Sequence, residues 1–365
     1  MKRILHIIGG LDRGGAESFI MNAWRNIDKT KYQFDILTFL PPQNGKKFAY
    51  EDELVSGGAK IFRIKDNRIQ HPRRFENDIA AIVRENHYEI VHSHIDFMSA
   101  LSLVGALKGG AKHRVAHSHN TYNKNLKSPL KALVSKILRK RLNKIATVKL
   151  ACGKDAGVFL YGPNQNFTII PNGIDFKKFQ YSSDTRDKLR KEYNLGAKTR
   201  ILLNVGRLEP VKNQAWLIDT FEELTKTIPD AALFIIGSGS LHEQLSSQIK
   251  SSSVDKKIFL LCSREDVYEY YSMADFFVLP SKFEGVPTVG IEAQASGLKC
   301  IFSTNVPKET KASSNVRFLS LSRPKWIKEL SKKYDTTKRR DLDSDMNKFN
   351  IKNSVKKLEG VYDSF

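Results

Sequence analysis

Two carboxylates eight residues apart, Glu284 and Glu292, lie in a stretch that runs from an apolar strand through a loop into a helix. Phe276 to Leu279 reads as a strand buried on both faces. Pro280, Ser281, Gly285 and Pro287 mark the loop, and the spacing predicts a helix from Pro287, as its first residue, to about Ser296, stopped by Gly297. This order leaves the backbone N–H groups of Gly285, Val286 and Thr288 free at the carboxyl edge of a parallel sheet, beside the positive end of a helix dipole. Such an edge suits a phosphate or a sugar hydroxyl, and the two carboxylates would flank that ligand. Two Glu residues at this spacing alone are far more often a solvated helix face.

Two cations stand just past another strand end. Arg200 to Val205 reads as a strand, and Gly206-Arg-Leu-Glu-Pro-Val-Lys-Asn213 follows it. Arg207 and Lys212 are either solvated or, set opposite the Glu284 loop, placed to neutralise a pyrophosphate as it leaves with negative charge. A glycine-rich turn, Gly9-Gly-Leu-Asp-Arg-Gly-Gly15, joins the first strand to the first helix, where only glycine lets a backbone approach phosphate closely. The G-x-G-x-x-G pattern of nicotinamide enzymes is missing there, although Asp35 lies where their ribose-binding acid would. Four histidines, His92, His94, His117 and His119, gather past two strand ends. No Cys or suitably spaced carboxylate completes a metal site with them, so metal is not expected.

The string from Ala274 to Ala293, with Pro-Ser, Glu-Gly-Val-Pro and Glu-Ala in order, resembles the retaining nucleotide-sugar glycosyltransferases of the GT-B fold, glycosyltransferase family 4, of the bacterial exopolysaccharide and capsule type. The resemblance extends from Gly14 to Glu292 and includes the Pro-Asn-Gly-Ile-Asp175 string that the family carries between its domains. It implies that Glu284 meets the donor sugar and Glu292 the ribose. Gly14 and Gly15 would lie against the pyrophosphate, Arg207 and Lys212 would bind the diphosphate, and His119 would reach donor phosphate and sugar. Gly285, Val286, Pro287 and Thr288 would complete the donor loop, and Glu284, His119, Arg207 and Lys212 would form the catalytic set. The implied reaction moves a hexose, with UDP the expected carrier, to a hydroxyl of a lipid-linked saccharide with retained configuration. No metal and no cofactor is implied, the nucleotide sugar being substrate. A nucleotide-sugar epimerase, an NAD oxidoreductase and a non-catalytic basic lipid- or nucleic-acid-binding protein stay open as alternatives.

The elements that must position these residues alternate strand and helix through 365 residues, enough for two domains. The expected fold class is α/β, with two doubly wound Rossmann-like domains facing across a cleft. Residues 1–177 form the acceptor-side domain, 178–344 the nucleotide-sugar domain, and 345–365 a terminal helix crossing back to the first.

A net charge of +21 is concentrated in part between Asn120 and Lys149, which holds no Asp or Glu. Leu130, Leu133, Val134, Ile137, Leu138, Leu142 and Ile145 recur there at helical spacing, so the segment reads as a basic amphipathic helix. Its apolar side is expected to pack on its own sheet, while Lys131, Arg139, Lys140 and Arg141 could face anionic lipid. No aromatic ladder accompanies the charge, which argues against nucleic acid. No apolar run approaches the roughly 20 residues of a membrane span, and the N-terminal run is too short for a signal core. Three scattered cysteines fit a reducing compartment. The expected location is the cytoplasm, peripheral at the inner face of the plasma membrane.

Overall fold

The computed structural model describes every residue except 13, 43–44, 46, 122–127, 335–338 and 340–342. The chain forms two compact units, Met1–Gly173 with Ile351–Phe365, and Ile174–Asn350. The division falls at Gly173 rather than after Lys177, because Ile174 donates its N–H to Phe349 and bridges to Asn350 inside the second unit. The terminal helix, Ile351–Asp363, belongs to the first unit.

In the first unit β1 (Lys2–Ile7), β2 (Tyr32–Thr38), β3 (Ile61–Arg63), β4 (Ile90–Ser93), β5 (His113–Ser118), β6 (Val148–Ala151) and β7 (Thr168–Ile169) make one parallel sheet in the order β3-β2-β1-β4-β5-β6-β7. In the second, β8 (Arg200–Val205), β9 (Ala231–Ile236), β10 (Ile258–Leu261), β11 (Phe276–Leu279), β12 (Lys299–Ser303) and β13 (Val316–Leu319) pair in parallel in the order β10-β9-β8-β11-β12-β13. Strands such as AALFII and FFVL are buried along their whole length, as strands covered by helices on both faces must be. Chain order reverses between β1 and β4 and between β8 and β11, and ligand crevices open at such switch points.

Alternation along the strands of the first sheet sorts side chains between two cores. Ile4, Phe34, Ile36, Ile90, Val115 and Leu150 face the Gly15–Asn26 and terminal helices, while Leu5, Ile7, Val91 and Ala116 face the other side. The terminal helix is held by more than this contact. Lys2 Nζ donates to the carbonyls of Tyr362 and Phe365 at 2.8 and 3.0 Å, Ser354 Oγ donates to Pro171 O at 2.9 Å, and Tyr32 hydrogen-bonds Asp363.

In the second unit a buried ionic knot fixes the entry to β11. Asp275 accepts from Arg186 at 2.6 Å, from Arg190 at 2.9 and 3.0 Å, and from the Ile201 amide at 2.8 Å. Removing the carboxylate would strand two buried guanidinium groups, a change that costs about 3–5 kcal/mol at comparable sites.

The Pro129–Ile145 helix departs from the expected packing. Leu142 is fully buried, but Leu130, Leu133, Val134 and Ile137 are 70, 55, 42 and 59% exposed. Their i, i+3, i+4, i+7 spacing is the stripe that periodicity detects, and its first half faces away from the unit. Arg139 and Arg141 turn the opposite way: Arg139 donates to Phe159 O at 2.7 Å and lies over the Phe97 ring, and Arg141 pairs with Glu76 at 3.0 Å. Lys131, Lys136 and Lys140 are exposed beside the aliphatic stripe. No helix among the described residues is long and apolar enough to cross a membrane.

Candidate functional site

The loop after β11 and the loop after β8 meet at the switch point of the second sheet. Lys212 Nζ donates to both oxygens of Glu284, at 2.7 and 2.8 Å, with both side chains largely buried. Ser281 Oγ donates to Glu284 Oε1 at 2.6 Å. The backbones are tied as well: Lys282 N donates to Val211 O at 2.8 Å, and Asn213 Nδ2 donates to Pro280 O at 3.1 Å. Asn213 takes a left-handed φ of 62°, which turns the chain from Lys212 into the Gln214–Thr225 helix. Two glycines allow the neighbouring loop to press against this one. A Cβ on Gly237 would meet Gly206 O at 2.0 Å, and one on Gly239 would meet Leu208 O at 2.5 Å.

Arg207 stands exposed on this edge, and among the described residues its guanidinium has no ion-pair or hydrogen-bond partner. The amides of Gly285, Val286 and Thr288 likewise have no partner among the described residues. Pro287 is the residue before the helix, with extended ψ of 117°, and the helix runs Thr288–Ala295, one residue later than the expected start at Pro287. Gly297 takes φ +72°, the left-handed stop expected of it.

Glu292, one and a half turns into that helix, accepts from Tyr271 Oη at 2.8 Å. Burial pushes its carboxyl up to about 7, against the Tyr271 hydrogen bond and the Lys178 charge, which favour the ionised form. Neutral and ionised forms are therefore both populated near neutral pH. A free cation, three free amides, an ion pair and a carboxyl poised near neutrality on one sheet edge can bind an anion and orient hydroxyls.

Gly14, Gly15 and His119 belong to the first unit. Gly14 precedes the Gly15–Asn26 helix, and a Cβ on Gly15 would meet no atom of the described residues within 4 Å, so their packing does not demand glycine there. His119 sits in a cluster of five histidines on one face of the first sheet, with His94, His117, His92 and His6. His6 escaped the sequence reading because it lies inside the apolar strand KRILHI. The paired H-x-H spacing of the other four was the signal for a shared face, since alternate residues point the same way. The nitrogens of His6, His92 and His94, and of His94, His117 and His119, lie within 4.8 Å of one another, close enough to be tested as metal ligands.

Residues 13–178 match the profile described as Glycosyltransferase Family 4, and residues 185–315 that of Glycosyl transferases group 1. EpsF of Bacillus subtilis (strain 168), described as a glycosyltransferase, is 34% identical over 332 residues, 88% of this chain and 85% of EpsF. CapH of Staphylococcus aureus, a capsular polysaccharide biosynthesis glycosyltransferase, is 24% identical over 99% of both chains. A UDP-Gal:alpha-D-GlcNAc-diphosphoundecaprenol alpha-1,3-galactosyltransferase of Escherichia coli is 30% identical over 61% of this chain and 59% of its own. Among solved structures, Anabaena HepE in complex with UDP and glucose matches all of both chains with a TM-score of 0.79 at 16% identity. The fold is GT-B, an α/β class built from two Rossmann-like sheets. The chain belongs to glycosyltransferase family 4.

The histidine cluster sets a pH dependence of stability. Burial lowers the ring values of His6 and His119 to about 3 and those of His92, His94 and His117 well below the ordinary range. An unfolded chain takes up protons on these rings below about pH 6.5 that the folded chain does not, so stability falls as pH drops through 6.5 and is unaffected by them above it. Urea midpoints measured at pH 7.5 and pH 5 should therefore drop on acidification, and by less in His6→Phe, which lacks one such ring. Parallel drops in both proteins would contradict the assignment.

Proposed function

We propose that the protein transfers a hexose from a nucleoside diphosphate sugar, with UDP as carrier, to a saccharide hydroxyl with retention of configuration. The observation that carries this reading is the edge at the β8/β11 switch point, where the loop of Arg207 and Lys212 meets the loop of Glu284 through the Lys212–Glu284 pair, with three free amides in that second loop and at the start of the helix that carries Glu292. The diphosphate would lie against Arg207, Lys212 and the amides of Gly285, Val286 and Thr288, with Pro287 shaping that loop. These donors would do what a divalent cation does elsewhere: stabilise the charge that builds on the leaving phosphate as the glycosidic bond breaks. Glu284 would hold the sugar hydroxyls once Lys212 turns to phosphate, and Glu292 would accept from the ribose. In the first unit Gly14 and Gly15 would admit the pyrophosphate, the open space beside Gly15 being what such an approach requires. His119 would meet the phosphate or the sugar.

In this reading the acceptor is lipid-linked and the setting is cell-surface polysaccharide assembly. The names of the E. coli and S. aureus relatives support it, as does the exposed stripe Leu130, Leu133, Val134 and Ile137 with Lys131, Lys136 and Lys140 beside it. Aliphatic side chains next to lysines suit the boundary of an anionic bilayer, where each basic residue contributes about 1 kcal/mol. The enzyme would work at the cytoplasmic face of the plasma membrane. Arg139 and Arg141, held by their own unit, would contribute less than the lysines.

Arg207→Ala is expected to lower kcat about 100-fold or more, the usual loss of one charge-stabilising donor. Glu292→Gln should instead weaken nucleotide binding by about tenfold or more, in keeping with a lost hydrogen bond to a charged group. Steady-state kinetics with circular dichroism as the folding control checks both, and wild-type rates and affinities in both variants would refute the site.

Flotation with vesicles containing anionic lipid tests the membrane contact. Binding should be lost at low salt in Leu133→Gln/Ile137→Gln and weakened in Lys131→Ser/Lys140→Ser, and high salt should weaken binding of the wild type. Absence of wild-type binding, or indifference to both double variants, would remove this part of the reading.

A further inference from the structure

Among the described residues one polar contact reaches the carboxyl of Glu292, and it comes from inside the unit. Tyr271, fully buried in the Val267–Met273 helix, donates its hydroxyl to Glu292 Oε2 at 2.8 Å. The carbonyl of Val289 lies 3.4 Å from the same hydroxyl, too long to compete for its single hydrogen. The Tyr271 ring is wedged between Phe179, 5.8 Å away at 70°, and Phe277, 5.8 Å away at 49°. Arg339 ties the end of the same helix by donating to the carbonyls of Tyr271, Ser272 and Ala274 at 3.4, 3.2 and 2.5 Å. A donor held this rigidly fixes where Oε2 points. Glu292 itself is half-buried, and its other oxygen, Oε1, has no partner among the described residues and is not enclosed.

The charges around Glu292 do not replace this contact. Its helix packs on the Val267–Met273 helix, β11 and β12. The first of these supplies Tyr271, and β11, with the sequence FFVL, carries no titratable group. From β12 come Cys300, a buried thiol that bears on Tyr271, and Lys299, whose ammonium lies over the Tyr334 ring. Lys178 is the remaining charge that acts on Glu292 among the described residues, and it is exposed, with its ammonium over the Tyr268 ring at 5.2 Å. Salt screens an exposed charge of this kind, whereas it leaves a buried hydrogen bond in place. The form of the carboxyl matters to a diol. Ionised, it accepts from both hydroxyls in charge-assisted bonds, roughly twice as strong as neutral ones. Protonated, it loses the charge and one acceptor site together.

We propose that Tyr271 is the positioning residue of the ribose subsite: its hydroxyl holds Glu292 Oε2 and thereby presents Oε1, as an acceptor, to the ribose hydroxyls of the nucleotide. This inference rests on the transferase reading for the ribose, but not for the pairing of the two side chains. Its consequence is proton-linked donor binding. The nucleotide binds the ionised carboxyl, so affinity is full above about pH 7 and falls as pH drops through that value, by up to about tenfold per unit. Without the Tyr271 hydroxyl the carboxylate loses the bond that favours its charge, its midpoint moves up, and affinity is lost from a higher pH. A role in packing alone would give a loss that does not vary with pH.

The test uses the full-length protein and UDP, whose own phosphate titration is common to all variants and cancels in their ratios. Calorimetry gives Kd from pH 6 to pH 9 for the wild type, Tyr271→Phe, Glu292→Gln and the double variant. Tyr271→Phe should bind about tenfold or more weakly than wild type at pH 7 and within about threefold of it at pH 9. On the Glu292→Gln background the same change should cost less than about threefold at every pH, because a residue that acts through Glu292 has nothing left to act on. A second readout needs no ligand. The Tyr271 ring carbon that bears the hydroxyl, followed by 13C NMR, should titrate with a midpoint near pH 7 in the wild type and lose that midpoint in Glu292→Gln. This decides the pairing even where Tyr271→Phe does not fold. Wild-type affinity at pH 7 or a pH-independent loss in Tyr271→Phe, an undiminished loss on the Gln background, or a Tyr271 signal without the midpoint would each overturn the proposal. A wild type that shows the midpoint and does not bind UDP would overturn the transferase reading, and the ribose role with it, while the pairing stands.

Discussion

A strand in a parallel sheet delivers its successor to the same edge as its own, and this constraint organises both units. Every strand pair here is parallel, so the carboxyl ends of each sheet, with the loops that leave them, collect on one side. Where the order reverses, the departing helices diverge and no connection covers the gap. The residues with chemistry stand at these reversals. Arg207 and Lys212 leave β8 and Glu284 leaves β11, which is the next strand in the sheet though far along the chain. In the first sheet the glycine loop leaves β1, His94 leaves β4 and His119 leaves β5.

Electrostatics sharpen what topology supplies. Lys212 and Glu284 are paired at 2.7 and 2.8 Å without any ligand, so neither charge is left uncompensated in a largely buried place. In the proposed reading a diphosphate competing for Lys212 would free the Glu284 carboxylate for hydroxyls, which would make the two halves of a nucleotide sugar mutually dependent in binding. The Arg186–Asp275–Arg190 knot at the start of β11 bears on the same loop from behind, because it fixes the strand whose far end carries Glu284. Burial plays the opposite part at the histidines, where five rings stay neutral because charge there would be costly.

The Glu284–Glu292 segment was legible in sequence because each of its parts is locally determined: an apolar four-residue strand, proline and glycine in the loop, and glycine at the stop. The one-residue error at Pro287 arises because proline fixes φ and leaves ψ free, so it serves as well before a helix as in its first turn. The exposed stripe of the Pro129–Ile145 helix was not legible, since periodicity shows that a helix has an apolar side and not what covers it. His6 was hidden for a related reason. Nothing local separates a histidine inside KRILHI from a solitary core residue, and only the register of β1 with β4, which sets His6 beside His92, reveals the cluster.

The central claim is that the edge at Arg207, Lys212 and Glu284 binds a nucleoside diphosphate sugar without a metal. Thermal unfolding of the purified protein with UDP, GDP, ADP, NAD and the corresponding sugar nucleotides, with and without a chelator, tests it most directly, because a ligand that binds only the folded state raises Tm. The account predicts stabilisation by UDP and UDP-sugars that is unchanged by chelation. Stabilisation by NAD alone, or stabilisation by UDP that disappears with the chelator, would contradict it.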